Sequence, residues 1–170
     1  MPEVTRHHTA PDGTRSWARY SDCGTYRYAL ARDWGRTRSL AFVMLNPSTA
    51  TEAANDPTIA RCEARARRWG FGGLRIVNLF AFRATDPADL KAAAAPTGQA
   101  NDALLVEICR EAGLTIAGWG VHGTHRGRDA EVLSLLRGEG VGLHHLGLTQ
   151  HGHPRHPLYV PYAQDPEPWP

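Results

Sequence analysis

One stretch constrains this chain more than any other: Leu40-Ala41-Phe42-Val43-Met44-Leu45, an unbroken apolar run followed by Asn46-Pro47-Ser48. Six residues are too few for a helix but suit a strand buried on both faces of a parallel sheet. Pro47 ends such a strand because it has no amide hydrogen for the ladder. It also holds Asn46 extended, so the asparagine side chain falls just past the strand's carboxyl end. In open α/β sheets that edge is where ligands bind, which makes Asn46 the first candidate for chemistry.

Alternating elements follow. Asp56-Pro57-Thr58 has the form of a helix start, with Asp56 as N-cap, Pro57 at the first helical position and Gly70 beyond the end. Leu74–Phe80 is a second apolar strand, and Thr85-Asp86-Pro87 opens a short helix. A helix over 101–112, a strand over 114–119, a helix over 129–137 and a strand over 141–146 complete the pattern. Tyr26, Tyr28 and Leu30 alternate with Arg27, Ala29 and Ala31, the period of a β-hairpin. Residues 1–16 are polar and aperiodic and read as a flexible arm before a single domain over 17–170. The arginines at 61, 65, 67 and 68 read as a solvated helix face. The expected fold is a three-layer α/β/α domain with a central, mostly parallel four-stranded sheet and an N-terminal β-hairpin.

That architecture gathers the residues after each strand on one rim. They are Asn46, then Asn78, Arg83 and Thr85, then Gly120 and His122, then His151, His153, Arg155 and His156. Amides, imidazoles and guanidiniums suit hydrogen bonding to a flat heterocycle and stabilisation of an anion. The rim lacks the clustered carboxylates of a Mg²⁺ site. The histidines match no zinc-ligand spacing, and Ser48 sits on no nucleophile elbow. A net charge of +2 permits a local phosphate patch but not a coat along nucleic acid. No apolar run could cross a bilayer, and the opening residues form no signal peptide. Three scattered cysteines form no Cys-x-x-Cys pair, so a cytoplasmic protein without a disulfide framework or iron–sulfur cluster is expected.

Four motifs in order carry a resemblance. Leu45-Asn46-Pro47-Ser48, Ile76-Val77-Asn78-Leu79, Trp119-Gly120-Val121-His122 and His156-Pro157-Leu158 resemble the strand-end motifs of the uracil-DNA glycosylase superfamily. More narrowly, Leu-Asn-Pro-Ser-Thr-Ala, Asp-Pro-Thr, Asn-Leu-Phe, Trp-Gly and Pro-Arg-His-Pro-Leu-Tyr resemble a bacterial and phage family known only as domain of unknown function 1643. The glycosylase resemblance implies cleavage of the N-glycosidic bond of a damaged or modified base flipped out of DNA, by a monomer without cofactor or metal. Asn46 would position water, Asn78 would read the base edge and His156 would donate to a base oxygen. Asp56 is a second candidate base. Pro47, Ser48, Phe80, Arg83, Trp119, Gly120 and His122 would surround the base, and Arg126, Arg128 and Arg155 would meet the flanking phosphates. Met44 and Ser48 stand where that superfamily's first motif has glycines, and residues 49–55 hold no aromatic to stack on a base. Two other readings stay open: an N-glycosidase acting on free nucleosides or nucleotides, and a non-catalytic module that binds a nucleobase or DNA.

Overall fold

The computed structural model describes residues 2–170. Its strands are β1 (Glu3–Thr9), β2 (Arg15–Ser21), β3 (Arg27–Asp33), β4 (Ser39–Met44), β5 (Gly73–Asn78), β6 (Leu114–Ala117), β7 (Leu143–His145) and β8 (Glu167–Trp169). Its α-helices are α1 (Pro57–Arg68), α2 (Pro87–Ala92), α3 (Asn101–Glu111) and α4 (Arg128–Gly138), with 3₁₀ turns at Val121–Gly127 and Pro157–Tyr159. All eight strands form one sheet in the order β1-β2-β3-β5-β4-β6-β7-β8.

This sheet corrects the expected four-stranded, mostly parallel one. It is mixed: β5, β4, β6 and β7 pair in parallel, while β1/β2, β2/β3, β3/β5 and β7/β8 pair antiparallel. The expected hairpin joins the sheet, because β3 docks along β5 and continues the ladder. The expected arm over 1–16 is corrected too, since Glu3–Thr9 is the edge strand β1. Every residue of β1 is exposed, so the ladder to β2 and the stacking of Arg6 over Tyr20 hold it, and no apolar alternation marks it in the sequence. β8 is three residues long, too short to show a period.

The chain remains α/β in class, with helices on both faces. Leu40, Phe42, Met44 and Ile76 point to the side of α1, where they bury Ile59, Cys62 and Ala66. Val43, Val77 and Ala117 point to the other side, against Leu105 and Ile108 of α3 and Val132 and Leu136 of α4. This alternation explains why β4 is apolar at every position. Asp56 and Asp86 cap α1 and α2 as their Asp-Pro spacing predicts, accepting from Ile59 N at 2.9 Å and Ala88 N at 2.8 Å.

The chain leaves β4 through α1 to β5 on one side, then crosses back to β6 on the other. The carboxyl ends of β5, β4 and β6 therefore flank a topological switch point, where the loops part and leave a crevice. Phe42, fully buried in the central strand, anchors that core. Phe42→Ala is expected to cost about 3–5 kcal/mol in chemical unfolding, read as a lowered denaturation midpoint with an unchanged slope.

Candidate functional site

A cavity of about 770 Å³ opens at the switch point. Asn46 beyond β4, Asn78 at the end of β5, Trp119 and Gly120 beyond β6, and Arg155 and His156 beyond β7 all line it. So do Asp56 and Ile59 at the start of α1, together with Arg27, Ser48 and His122. Residues more than a hundred positions apart thus share one wall.

Asn78 is 1 % exposed, yet neither Nδ2 nor Oδ1 of its side chain has a partner among the described residues. Its backbone carbonyl is satisfied by Asn101 Nδ2 at 3.0 Å, so the ladder is complete and the amide alone is left over. Two unpaired polar atoms on a buried wall cost about 1–3 kcal/mol per group, a penalty a hydrogen-bonding ligand removes.

Asn46 is used differently. Its Nδ2 donates to Ala84 O at 2.7 Å and Pro47 O at 3.1 Å, tying the loop after β4 to the loop after β5. Its carbonyl oxygen is the half of the amide left for a ligand. Pro47 is buried off the cavity wall; its carbonyl also accepts from Ala84 N at 3.0 Å. Ser48 Oγ lies 3.1 Å from Thr85 Oγ1.

His156 begins the 3₁₀ turn Pro157–Tyr159, and its Nδ1 accepts the Leu158 N–H at 3.2 Å. An accepting Nδ1 carries no proton, so the neutral ring holds its hydrogen on Nε2 as a donor. Burial pushes the pKa below the usual imidazole value, and the Asp56 carboxylate offsets only part of that shift. The loop carrying His156 is fastened from α1. Arg61 Nη2 and Arg65 Nη2 each donate to Val160 O at 2.6 Å, and Arg61 Nε donates to Pro157 O at 3.3 Å. Arg65 is fully buried and Arg61 half-buried, which corrects the reading of a solvated face for these two; Arg67 and Arg68 are exposed as expected. At Gly118 an added Cβ would stand 3.0 Å from Pro157 Cδ, so the strand end and the loop touch. Gly120, at φ +72, donates its N–H to Pro154 O at 2.9 Å.

Asp56, on the cavity wall, commits Oδ1 to the α1 cap, and its second carboxylate oxygen has no hydrogen-bond partner among the described residues. His122 Nδ1 lies 3.0 Å from Lys91 Nζ. Sequence reasoning missed Arg27, which is 1 % exposed and donates Nη1 to Ala50 O at 2.6 Å. A β-bulge hid it: Arg19 pairs with Ala29 but Tyr20 with Arg27, so Tyr28 is extra and Arg27 returns to the α1 side. Sequence reasoning also missed Tyr159, 79 % exposed on the lip, its ring centroid 5.8 Å from that of His156. The Pro-Arg-His-Pro-Leu-Tyr string held that signal.

Besides Pro47, four expected residues lie elsewhere. Phe80 is fully buried beneath the sheet, its ring 5.6 Å from that of His125. Arg83 donates to Gly24 O at 3.2 Å and stands over the Tyr20 ring. Arg126 donates to Ala93 O at 3.1 Å. Arg128 is the clearest correction: it begins α4, is 2 % exposed, and binds Leu79 O, Glu131 and Asp102. It cannot meet a phosphate. Among the described residues no cluster of His, Cys, Asp or Glu is suited to hold a metal ion, and no helix is long and apolar enough to cross a membrane.

A family model described as a protein of unknown function, DUF1643, matches residues 27–158. That span runs from Arg27 on the cavity wall to Leu158 beside His156. Neither the curated proteins nor the solved structures yield a significant match.

The His156 geometry sets a pH dependence. The folded protein resists protonating this ring, whereas the unfolded chain takes up the proton below about 6.5. Stability is therefore expected to fall as pH drops through 6.5, because the unfolded state then binds more protons. Protonation also turns Nδ1 into a donor against Leu158 N–H. Unfolding midpoints between pH 7.5 and 5.5 should fall less in His156→Gln than in the wild type.

Proposed function

The chain belongs to the DUF1643 family of proteins of unknown function, and we propose that its cavity holds a nucleobase whose N-glycosidic bond the protein hydrolyses. The observation that carries this reading is the buried, unpartnered Asn78 amide. One donor and one acceptor side by side match the lactam or imide edge of a base, which presents an acceptor beside a donor. The apolar part of the wall, Met44, Ile59, Ile76 and Trp119, suits a flat ring. The order of the four strand-end motifs, similar to that of the uracil-DNA glycosylase superfamily, supports the same reading.

The chemistry follows from what each group has free. As the bond from C1′ to the base nitrogen breaks, its electron pair stays with the base and positive charge builds on the sugar. His156 Nε2–H donates to a base oxygen where negative charge develops, stabilising the departing ring. Water adds hydroxide to C1′ and gives its proton to the free carboxylate oxygen of Asp56, which acts as general base. The Asn46 carbonyl oxygen accepts the other water hydrogen and fixes its direction.

We place the base in DNA, flipped from its stack so that the ring reaches the cavity. Exposed apolar side chains lie at the opening, Val121 at 52 % and Tyr159 at 79 %, together with the exposed Arg155. The withdrawal of Arg128 and the tethering of Arg126 favour a second reading, a free nucleoside, because Arg155 alone of the three remains at the cavity.

An abasic-site assay on oligonucleotides carrying uracil, hypoxanthine, xanthine or alkylated bases tests the first reading. Asn78→Leu is expected to lose activity by roughly 10- to 100-fold, the worth of the lost hydrogen bonds. Its melting temperature should be equal or higher, because the variant deletes both unpaired atoms at similar volume. Full activity in Asn78→Leu, or in Asn46→Ala and His156→Ala, overturns the assignment. Salt separates the substrates: with about one phosphate contact, a fourfold rise weakens oligonucleotide binding roughly threefold and leaves nucleoside binding unchanged.

A further inference from the structure

Arg27 is a buried cation for which the reaction above has no use. The five ion pairs among the described residues give Arg67, Arg75, Arg110 and Arg128 carboxylate partners and give Arg27 none. Its single side-chain bond goes from Nη1 to the Ala50 carbonyl, and its Nε has no partner among the described residues. One anchored nitrogen holds the side chain in place while most of its five donors stay unused. Buried charges are ordinarily paired, since an unpaired one carries a heavy desolvation cost.

The cavity's other charges do not neutralise it. Asp56 is the one carboxylate on the wall among the described residues; it favours the Arg27 charge but offsets only part of the burial cost, and Oδ1 is tied to the α1 cap. His156 is held neutral, while Arg155 adds a second cation. The first turn of α1, Pro57 to Ile59, also lines the space with the partly positive end of a twelve-residue helix. The environment is net positive around an unsatisfied amide.

We propose that the occupant is a planar heterocyclic anion, with Arg27 as the counter-charge and Asn78 as the reader of its edge. The inference rests on the nucleobase reading and narrows it to bases that are anionic near neutral pH or leave the sugar as stabilised anions. Dioxo- and trioxo-purines and the corresponding pyrimidines have this chemistry; adenine and cytosine do not. Arg27 would then serve catalysis as well as selection, since the electron pair released from the glycosidic bond settles on the ring it faces. A guanidinium suits this task because it keeps its charge and does not surrender a proton to the leaving ring.

Calorimetric titration of the full chain at pH 7.5 with two matched pairs of free bases tests this. Uracil and hypoxanthine are neutral there; barbiturate and urate have nearly the same rings and are anions. The anion of each pair is expected to bind at least about tenfold tighter, the scale of a charge-assisted hydrogen bond. Arg27→Lys should keep part of that preference, and Arg27→Gln should reduce it to within about threefold. The wild-type ratio decides the matter even if Arg27→Gln does not fold. Equal affinity for neutral and anionic members overturns this inference and leaves the nucleobase reading standing. Failure of all four bases to bind overturns both.

Discussion

The site depends on buried and half-buried arginines that donate to backbone carbonyls of loops. From β3, Arg27 reaches Ala50 O at 2.6 Å and Arg32 reaches Thr51 O at 2.6 Å. From α1, Arg61 and Arg65 converge on Val160 O. Loops have no ladder or helical partner for their carbonyls, and a buried unpaired one is costly. A guanidinium supplies several donors from one side chain, so each arginine can fix a whole loop segment. The cost appears in Arg27, whose pKa burial depresses to about 10, still far enough above neutrality to keep its charge. The two loops held in this way carry Asp56 and His156. The frame therefore positions groups a hundred residues apart more firmly than chain connectivity could.

Within that frame, several side chains divide their polar atoms between structure and ligand. Asn46 gives its nitrogen to Ala84 and Pro47 and keeps its oxygen. Asp56 gives one oxygen to the α1 cap, and His156 gives Nδ1 to Leu158. Each structural bond fixes a rotamer and so aims the remaining atom without further conformational cost at binding. Asn78 differs because it gives nothing. Its backbone pairs with Met44 of β4 on one side and its carbonyl accepts from Asn101 Nδ2, so backbone bonds supply the rigidity that side-chain bonds supply elsewhere. A donor–acceptor pair can then remain unspent in a buried wall of the cavity.

What the sequence disclosed follows from this physics. The run 40–45 marked the central strand because burial on both faces leaves only apolar residues, and Asp-Pro at 56–57 and 86–87 marked helix starts because capping is local. Local signals end where tertiary contacts decide. β1 has no apolar face to alternate, and its ladder to β2 is invisible to periodicity. The bulge at Tyr28 reversed the face of Arg27, so strict alternation assigned it to the wrong side of the sheet. Arg128 read as a phosphate contact because the loop was taken to continue through it; instead α4 begins there and buries it between Asp102 and Glu131. Phe80 follows Asn78 by two positions but packs on the opposite layer, because the chain turns away as soon as β5 ends.

His156 and Arg27, both on the wall, divide the electrostatics of the site. A half-buried imidazole loses its charge readily, because its pKa lies near the working pH and desolvation lowers it further. The same burial lowers the Arg27 pKa and yet leaves it charged, because a guanidinium starts so much higher. One cavity thus holds a neutral donor and a permanent cation on its wall. The neutral donor can follow charge as it forms on a ring, whereas the cation favours an occupant that is already negative. An apolar cavity with two asparagines would select a shape; with Arg27 in its wall it also selects a sign of charge.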